Sequence, residues 1–316
     1  MRKLKPVRIE PKRNVGSYKP LNSVSDYVPS THNIKPKPHI VLPEVKPIID
    51  HATYTYSGNS CKIALILHLY YEDLAIEYYK LLIELNEKID FDLYISISIC
   101  SLMDVAKVSN MYVKTFNAIV FKFDNVGKDI VPKFRIIEHI HKQGLSYDYV
   151  YLFHDKKSPQ YQKTGKTDWM NSWRDDLISP LFNDDLRNGS LAIFENDNNV
   201  GAIGSHKHLH FGPGWFETMA VNRYRNETLL LQQQEIFYSQ LKNRPKVQRS
   251  WFIGGTMFWV RWDILKSFLD TNDVSQIYRL SIEDRGDIKD PSFTHYLERF
   301  FGHLVKMNEM RLIGIS

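Results

Sequence analysis

The stretch KIALILHLY, residues 62–70, followed by YEDLAIEYYKLLIELN, residues 71–86, decides the fold. The first segment is an almost unbroken apolar run with the length of a buried strand. The second segment repeats apolar residues at the spacing of one helix face. A buried strand followed directly by an amphipathic helix is typical of sheets whose strands run parallel.

The same alternation continues along the first half of the chain. Three further strands are predicted from FDLYISISI (91–99), NAIVFKF (117–123) and YDYVYLF (147–153). A helix is predicted from KFRIIEHIHKQG, which ends at Gly144. Strands separated by helices of this size predict an α/β fold with a mostly parallel sheet and helices on both faces.

The second half has a less regular pattern, which we interpret as part of the same domain, residues 58–316. A strand with a turn and a glycine-bearing strand with a following helix are predicted from SLAIFENDNNVGAIGS (190–205) and WFIGGTMFWVRWDIL (251–265). Helices are predicted from WMNSWRDDLISPLF (169–182, capped by Asp168), ETLLLQQQEIFYSQL (227–241) and PSFTHYLERFFGHLV (291–305).

Residues 1–57 differ in composition from the rest and predict an extended or disordered arm. They contain eight of the 14 prolines, and residues 1–50 carry ten Lys or Arg against four Asp or Glu. The arm therefore carries a net charge of +6. Because the whole chain has a net charge of +5, the remaining residues have a net charge of −1. A near-neutral body argues against nucleic acid as a partner. The arm is either a solvated leader or a tether to an acidic membrane surface or partner.

The cysteines and the apolar runs indicate a cytoplasmic protein, with peripheral membrane contact through the arm as an option. Cys61 and Cys100 are the only cysteines, each lies in an apolar run and they have no CxxC spacing, which favours two reduced core thiols over a disulfide or a zinc site. No window approaches 18 apolar residues, and the basic start lacks a following apolar stretch. The sequence therefore predicts neither a signal peptide nor a membrane span.

Polar residues follow each predicted strand at the end where parallel sheets bind ligands. The strongest signal is YDYVYLFHDKKS (147–158), in which an apolar strand runs into His154, Asp155, Lys156, Lys157 and Ser158. Lysines neutralise phosphate charge, and His and Asp take part in phosphate or metal binding. This loop is predicted to hold a diphosphate.

Two other segments suit the same ligand. NVGKD (125–129) supplies a tight turn, a lysine and two side chains able to hydrogen-bond ribose or phosphate. The paired glycines of WFIGGTMFWVR (251–261) allow a ligand to approach the backbone, and the aromatic side chains are suited to stacking on sugars.

Six motifs, taken in order, resemble the rhamnan synthesis protein F family of glycosyltransferases. They are HLYYEDL (68–74), NVGKD (125–129), YDYVYLFHDKKS (147–158), WMNSWRDDL (169–177), GGTMFWVR (254–261) and DPSFTHYLERFFG (290–302). This chain departs from the family pattern in four places: Lys128 replaces an arginine, Asp155 a threonine, Pro291 a glycine and Ser292 a threonine.

The resemblance implies a GT-A fold and transfer of a sugar, L-rhamnose by analogy, from a nucleotide-diphosphate donor, UDP- or dTDP-linked, to a glycan or lipid-linked glycan. It implies inversion at the anomeric carbon if the donor is a β-L-rhamnosyl nucleotide and the product is α-linked. The residues expected to bind the donor are His68, Tyr70, Asn125, Lys128, Asp129, His154, Asp155, Lys156, Lys157, Ser158, Gly254, Gly255 and Thr256.

GT-A enzymes usually hold a divalent cation with an Asp-x-Asp motif, where this chain has HDK, residues 154–156. Either Asp155 and His154 keep a Mn²⁺ or Mg²⁺ ion, or the lysines at 156 and 157 do its electrostatic work. The sequence leaves both alternatives open.

The acceptor side is expected to supply the catalytic base, with Asp290, Glu298 and the pair Glu283 and Asp284 as candidates. His295 lies three residues before Glu298, where the two are predicted to orient one another or the acceptor. Asp290 precedes a proline, and Asp followed by Pro is also common at a helix N-terminus, where Asp is the N-cap and Pro the first helical residue. A competing hypothesis is a catalytically silent protein that binds a glycan or nucleotide sugar on the same fold.

Overall fold

The structure is a computed structural model that describes residues 47–49, 61–155, 157, 174–178, 189–211, 220–246, 250–283 and 292–315. The described residues belong to one compact unit, residues 40–316. The predicted helix at 169–182 and its cap Asp168 lie mostly outside the described residues, and the part that is described, 174–178, is helical.

Ten strands are described. They are β1 (Pro47–Ile49), β2 (Ile63–Leu69), β3 (Asp92–Ser98), β4 (Ile119–Phe123), β5 (Tyr149–His154), β6 (Val200–Ser205), β7 (Leu209–Phe211), β8 (Trp251–Ile253), β9 (Phe258–Arg261) and β10 (Arg311–Ile315). A short 3₁₀ helix, His206–His208, links β6 to β7.

Eight longer helices are described in addition to the stretch at 174–178. They are α1 (Glu72–Asn86), α2 (Val105–Phe116), α3 (Ile130–Lys142), α4 (Ser190–Asn196), α5 (Ala220–Tyr238), α6 (Trp262–Leu269), α7 (Ser275–Glu283) and α8 (Phe293–Met307). Among the described residues, no helix combines the length and the apolar character needed to cross a bilayer.

Eight of the strands form one sheet in the order β1-β4-β3-β2-β5-β9-β6-β10. β4, β3, β2 and β5 are parallel, and β9 runs antiparallel between β5 and β6. β10 is parallel to β6, and β1 is antiparallel to β4 at the other edge. The predicted fold class, an α/β fold with a mostly parallel sheet, is confirmed.

The centre of the sheet forms because β2 and its neighbours are apolar on both faces. Every residue of β2 and of β5 is buried, so side chains pointing to either face are covered. Alternation of side chains between the two faces makes a fully buried strand the mark of a sheet covered on both sides. The four parallel strands predicted from the first half of the sequence are all present.

The glycine-bearing stretch WFIGGTMFWVR is two strands and not the single strand predicted. β8 pairs with β7 in a small separate sheet, whereas β9 lies inside the large sheet. Between them Gly255 has φ of 99° and Thr256 has φ of 52°, both in the left-handed region. The chain turns at this point because glycine adopts positive φ without steric cost.

Several elements lack a strong pattern in the sequence and were not predicted. α2 begins at Asp104, whose side chain accepts the Lys107 amide at 3.1 Å as an N-cap. α4 occupies residues 190–196, where a strand was expected to start, and the strand is confined to β6. β1 pairs with β4 although residues 47–49 fall in the stretch assigned to the arm. The prediction of two core thiols was wrong, because Cys100 is exposed and Cys61 is only half-buried.

α8 packs closely against β8, and a glycine makes that contact possible. A Cβ atom added to Gly302 would lie 1.9 Å from the carbonyl oxygen of Trp251, which is backbone and cannot yield as a side chain does. On the same helix, Phe300 and Phe301 meet the ring of Phe134 from α3. The contact between Gly302 and Trp251 joins α8 to β8, the strand that leads into the Gly255 turn.

Substituting Gly302→Ala should destabilise the protein. Alanine is about 1 kcal/mol more favourable than glycine in a free helix, but the clash with Trp251 should outweigh this gain by roughly 1–3 kcal/mol. Urea denaturation measures the difference, with Met307→Ala on the exposed side of α8 as the control. A Gly302→Ala variant as stable as the parent would contradict the packing described here.

Candidate functional site

Two histidines end neighbouring strands where the strand order reverses. The chain continues from β2 to β3 on one side, and β5 joins β2 on the other side. Ligands of open α/β sheets bind at such a reversal, beyond the carboxyl ends of the strands. His68, near the end of β2, and His154, the last residue of β5, are partners in the register, and both are buried.

His68 is held as a neutral imidazole. Its Nδ1 lies 2.9 Å from the Ser96 hydroxyl on β3. Burial lowers the pKa of His68 to about 4, and the nearby charge of Lys133 acts in the same direction against the attraction of Asp129. At neutral pH this side chain is therefore uncharged, so it offers a ligand hydrogen bonds and no positive charge.

Asp155 joins the end of β5 to the start of α1. Its Oδ2 accepts the backbone N–H groups of Tyr70 at 2.7 Å and Tyr71 at 2.6 Å, and its own N–H donates to the carbonyl of His68 at 3.0 Å. The other carboxyl oxygen, Oδ1, is buried without a hydrogen-bond partner in the part of the chain that the structure describes. Burial raises the pKa of Asp155 to about 7, against the effect of the two N–H groups.

A fully buried lysine lies beside His154. The Nζ atom of Lys133 is 2.9 Å from Asp129 Oδ2, 3.0 Å from His154 Nδ1, and 2.9 and 3.2 Å from the carbonyl and hydroxyl oxygens of Thr256. Burial lowers the pKa of Lys133, and the charge of Asp129 offsets part of that effect. The ammonium therefore joins α3, the end of β5 and the turn before β9.

Asp129 is the carboxylate of this cluster. It precedes the first residue of α3, yet its side chain makes no capping hydrogen bond to the described residues of that helix. Instead Oδ2 accepts the Thr256 hydroxyl at 2.6 Å and lies 3.2 Å from His154 Nδ1. Although burial opposes ionisation, His154, Lys133 and Thr256 hold the pKa of Asp129 well below its usual range.

The turn at 254–256 is fixed from both ends. The Gly254 N–H donates to the His208 carbonyl at 2.9 Å, and the Gly255 N–H donates to Glu298 Oε1 at 2.5 Å. Thr256 keeps a positive φ that its branched side chain disfavours, because Lys133 binds both its oxygens. The predicted ligand-approach glycines are thus held between the Lys133 cluster and α8.

Three of the acceptor-side candidates are described. Glu283 is the exposed last residue of α7, and the other two, His295 and Glu298, have structural contacts. His295 completes a capping box at the start of α8, where its Nδ1 lies 2.8 Å from the Ser292 hydroxyl. Glu298 binds Gly255 through Oε1, and its Oε2 lies 3.3 Å from the Arg299 guanidinium. Glu298 therefore holds the glycine turn against α8.

Lys157 lies on the outer side of the site. It forms an ion pair with Asp73 at the start of α1, and its ammonium is 5.1 Å from the centre of the Tyr71 ring. Asp73 is largely exposed, so this ion pair is a surface pair of small energy. The lysine is therefore available to a stronger anionic ligand.

The NVGKD segment forms an exposed loop between β4 and α3. Gly127 and Lys128 both have positive φ, and a Cβ at Gly127 would clash with Val131, so this turn needs glycine. Asn125 and Lys128 are exposed while Asp129 turns inward. Of the remaining predicted site residues, Lys156, Ser158, Asp284 and Asp290 lie outside the described residues.

The structure brings together predicted residues that are far apart in sequence: His68, Asp129, His154, Asp155, Gly255, Thr256 and Glu298. It adds Lys133, which sequence reasoning assigned only to a helix. The signal was available as the spacing of Asp129 and Lys133, since oppositely charged residues four apart at a helix start lie side by side. Its full burial could not be inferred from one sequence.

The described residues do not by themselves form a complete set of ligands for a divalent cation. They contain no group of three or more His, Cys, Asp or Glu side chains placed to hold a metal ion. Asp129 is neutralised by Lys133, and Asp155 has one oxygen committed to two N–H groups. Mg²⁺ bound together with a nucleotide takes only one or two carboxylates and completes its coordination with waters and phosphate oxygens.

The fold and the polar residues at the strand reversal define an α/β protein with a candidate ligand site at the carboxyl ends of its parallel strands. The model of the rhamnan synthesis protein F family matches residues 19–310. The chain belongs to that family, as its motifs suggested.

Two similar curated proteins are called uncharacterized protein WxcX and come from two strains of Xanthomonas campestris pv. campestris. Each is 23% identical over 271 residues, which is 84% of this chain and 34% of the relative. The chain spans about a third of the length of these relatives. Among solved structures, the mannosyltransferase Ktr4p of S. cerevisiae in complex with GDP aligns with 79% of this chain and 66% of its own, at 11% identity and a TM-score of 0.34.

The stability of the Asp155→Asn variant relative to the parent should be greater at pH 8 than at pH 5. The folded chain keeps the Asp155 proton up to about pH 7, whereas the unfolded chain releases it near its ordinary value of 3.8. Between these values the unfolded state binds fewer protons, so the stability contributed by Asp155 falls as pH rises and stays low above pH 7. Asparagine still accepts the two N–H groups and avoids this loss, which is at most ~4 kcal/mol.

Urea denaturation of both proteins at pH 5 and pH 8 measures this difference. Asp90→Asn, at an exposed carboxyl, serves as the matched control, and its free energy of unfolding should differ little from that of the parent at either pH. A stability difference between Asp155→Asn and the parent that is the same at pH 5 and pH 8 would contradict a protonated Asp155.

Substituting Lys133→Met should destabilise the protein by about 3–5 kcal/mol, because it leaves the Asp129 carboxylate buried without its cation. The double variant Asp129→Asn with Lys133→Met should regain part of that loss, since no buried charge remains. Urea denaturation of the parent, both single variants and the double variant gives the four free energies of unfolding of a double-mutant cycle. Losses that simply add would show that the two charges are not coupled.

Proposed function

We propose that this protein is a glycosyltransferase that moves a sugar from a nucleotide-diphosphate donor to a glycan acceptor. The observation that carries the proposal is the cluster at the strand reversal, where His68, His154 and Asp155 lie together with Lys157 on the outer side. Membership of the rhamnan synthesis protein F family supports the same assignment.

The donor diphosphate is proposed to bind beside Lys157. The exposed pair with Asp73 costs little to exchange for a diphosphate, which carries more negative charge. Lys156 and Ser158 flank Lys157 in sequence and are proposed to add charge and a hydroxyl donor. Lys128 and Asn125, exposed on the loop before α3, are proposed to contact the donor from the other side.

The buried residues are proposed to position the donor site rather than neutralise it. Asp129 and Lys133 satisfy each other, and together they fix Thr256. Tyr70 contributes its backbone to Asp155, and its ring packs edge-on against Tyr71, with the ring centres 5.0 Å apart. The walls of the crevice are thereby held rigid, which lowers the cost of ordering the site when a donor binds.

The transferred sugar is proposed to be L-rhamnose, in keeping with the family. An acceptor hydroxyl attacks the anomeric carbon, the bond to the diphosphate oxygen breaks, and the diphosphate leaves with its electron pair. The lysines stabilise the charge that develops on the leaving diphosphate, and a carboxylate takes the proton of the hydroxyl. A single displacement of this kind inverts the configuration and needs no covalent intermediate.

Asp290 is proposed as the base and Glu298 as a positioning residue. Both Glu298 oxygens have partners, the Gly255 N–H at 2.5 Å and the Arg299 guanidinium at 3.3 Å. A base must bind the acceptor hydroxyl with a free oxygen, which favours the acid at 290. His295 is proposed to shape the start of α8.

The acceptor is proposed to be a growing or lipid-linked glycan, with the basic arm, residues 1–57, meeting an anionic membrane surface on the cytoplasmic side. The +6 charge of residues 1–50 supports this, because each Lys or Arg near an anionic surface contributes about 1 kcal/mol. UDP- or dTDP-linked rhamnose is the proposed donor.

Isothermal titration of the full chain with UDP, dTDP and GDP tests the donor site. Substituting Lys157→Ala should weaken binding by about 1–3 kcal/mol, the range for a charge-assisted hydrogen bond. Lys114→Ala, at an exposed lysine of α2, is the matched control. Equal affinities in the parent and Lys157→Ala would remove this lysine from the donor site.

Incubation of the enzyme with each nucleotide sugar, followed by assay of nucleoside diphosphate release, tests turnover. Binding without release under any donor and acceptor tried would favour the alternative, a silent nucleotide-sugar-binding protein.

Substituting Asp290→Asn should lower turnover by about 10²- to 10⁴-fold and leave donor affinity nearly unchanged, as expected for loss of a general base. Glu298→Gln retains a side chain that reaches Gly255 and should lose less turnover. Kinetics, donor titration and thermal unfolding are measured on both variants. Normal turnover with a lowered melting temperature in Asp290→Asn would make that residue a helix cap and transfer the base role to Glu298.

A further inference from the structure

The Oδ1 atom of Asp155 is a buried polar atom that the described part of the chain does not satisfy. Its partner atom Oδ2 takes two backbone N–H groups, from Tyr70 and Tyr71, at 2.7 and 2.6 Å. Oδ1 has no such partner among the described residues, although Asp155 is only 5% exposed. Buried polar atoms almost always have a hydrogen-bond partner, so an exception at a sheet's ligand-binding edge points to a ligand.

The surroundings of Asp155 decide what kind of ligand Oδ1 meets. Asp73 and Tyr71 face it from the start of α1, and Asp129 faces it from the start of α3. The neighbouring strand ends contribute His68, which is neutral, and His154. Lys157, two residues further on, is paired with Asp73. Asp73 and Asp129, whose charges raise the pKa of Asp155, are both negative, and the charge of Asp129 is offset by its ion pair with Lys133.

A carboxyl with this environment holds its proton. Burial is the main cause of its raised pKa of about 7, and the carboxylates of Asp73 and Asp129 add to the effect. Because Oδ2 accepts two N–H groups, the proton belongs on Oδ1. Oδ1 is then a hydrogen-bond donor and not an anionic acceptor.

We propose that Asp155 binds the donor as a neutral acid, with Oδ1–H donating a hydrogen bond to an anionic oxygen of the nucleoside diphosphate. This rests on the proposed function and deepens it. A carboxylate at the same place would repel the diphosphate, whereas an acid adds a donor beside Lys157.

Titration calorimetry of the full chain with UDP, dTDP and GDP, in EDTA and again with MnCl₂, tests the assignment at pH 6 and pH 8.5. The variants are Asp155→Asn, whose amide accepts the two N–H groups and donates at the Oδ1 position, and Asp155→Leu, which does neither. We expect Asp155→Asn to bind at least as tightly as the parent in EDTA, and Asp155→Leu to bind at least tenfold more weakly.

The pH comparison separates this role from a structural one. The parent should lose about tenfold more affinity than Asp155→Asn between pH 6 and pH 8.5, because only the parent releases a proton from Oδ1. Dividing the affinity of the parent by that of Asp155→Asn at each pH removes the effect of the nucleotide's own titration, which is the same for both proteins. If Asp155→Leu does not fold, the pH dependence of this ratio of affinities is sufficient to test whether Asp155 binds as a neutral acid.

Three results would overturn the inference. The first is a parent that needs Mn²⁺ for binding together with an Asp155→Asn variant that has lost it, which would make Asp155 a cation ligand. The second is a ratio of affinities that does not change with pH. The third is a parent that binds none of the nucleotides, which would remove the proposed function as well, whereas the first two leave that function in place.

Discussion

A lysine ammonium shielded from water holds the centre of this protein together. Moving such a charge out of water is costly, and the cost is met only where close partners surround it. Lys133 has Asp129, His154 and both oxygens of Thr256 within 3.2 Å. These partners come from three segments far apart in sequence, so the ion pair is satisfied only in the complete fold. It therefore fixes the mutual placement of α3, the end of β5 and the turn before β9.

That constraint explains why the glycine-bearing segment breaks into two strands in different sheets. Thr256 must present both its oxygens to Lys133, which requires the left-handed backbone conformation that follows Gly255. The Gly255 N–H then faces α8 and is taken by Glu298. One buried cation thus sets the path of the chain from the parallel half of the sheet to the C-terminal helix.

The sequence was sufficient for the parts of the fold whose burial is complete. β2 and β5 are buried along their whole length, β3 along all but its first residue and β4 over its first three residues, so length and composition alone identified these strands and the helices that follow β2 and β4. The edge strands β1 and β10 and the amphipathic α2 carry weaker patterns, and the break at Gly255 depends on partners more than 100 residues away. At the site, residues that follow strands were predictable from the sheet rule, whereas Lys133 gave only the pattern of a helix residue and its burial depends on tertiary packing.

The site separates charges that hold the chain from groups that remain for a ligand. Lys133 and Asp129 neutralise each other inside, and His68 is neutral because burial lowers its pKa to about 4. What remains for a ligand is the Oδ1 atom of Asp155, which the described residues leave unsatisfied, and the partly exposed Lys157 beside the exposed carboxylate of Asp73. An interior without net charge does not repel an anion, and a lysine at the rim attracts one. Because this balance depends on Asp155 keeping its proton, the carboxyl that departs from the family's usual threonine fits the same neutral, hydrogen-bonding surface.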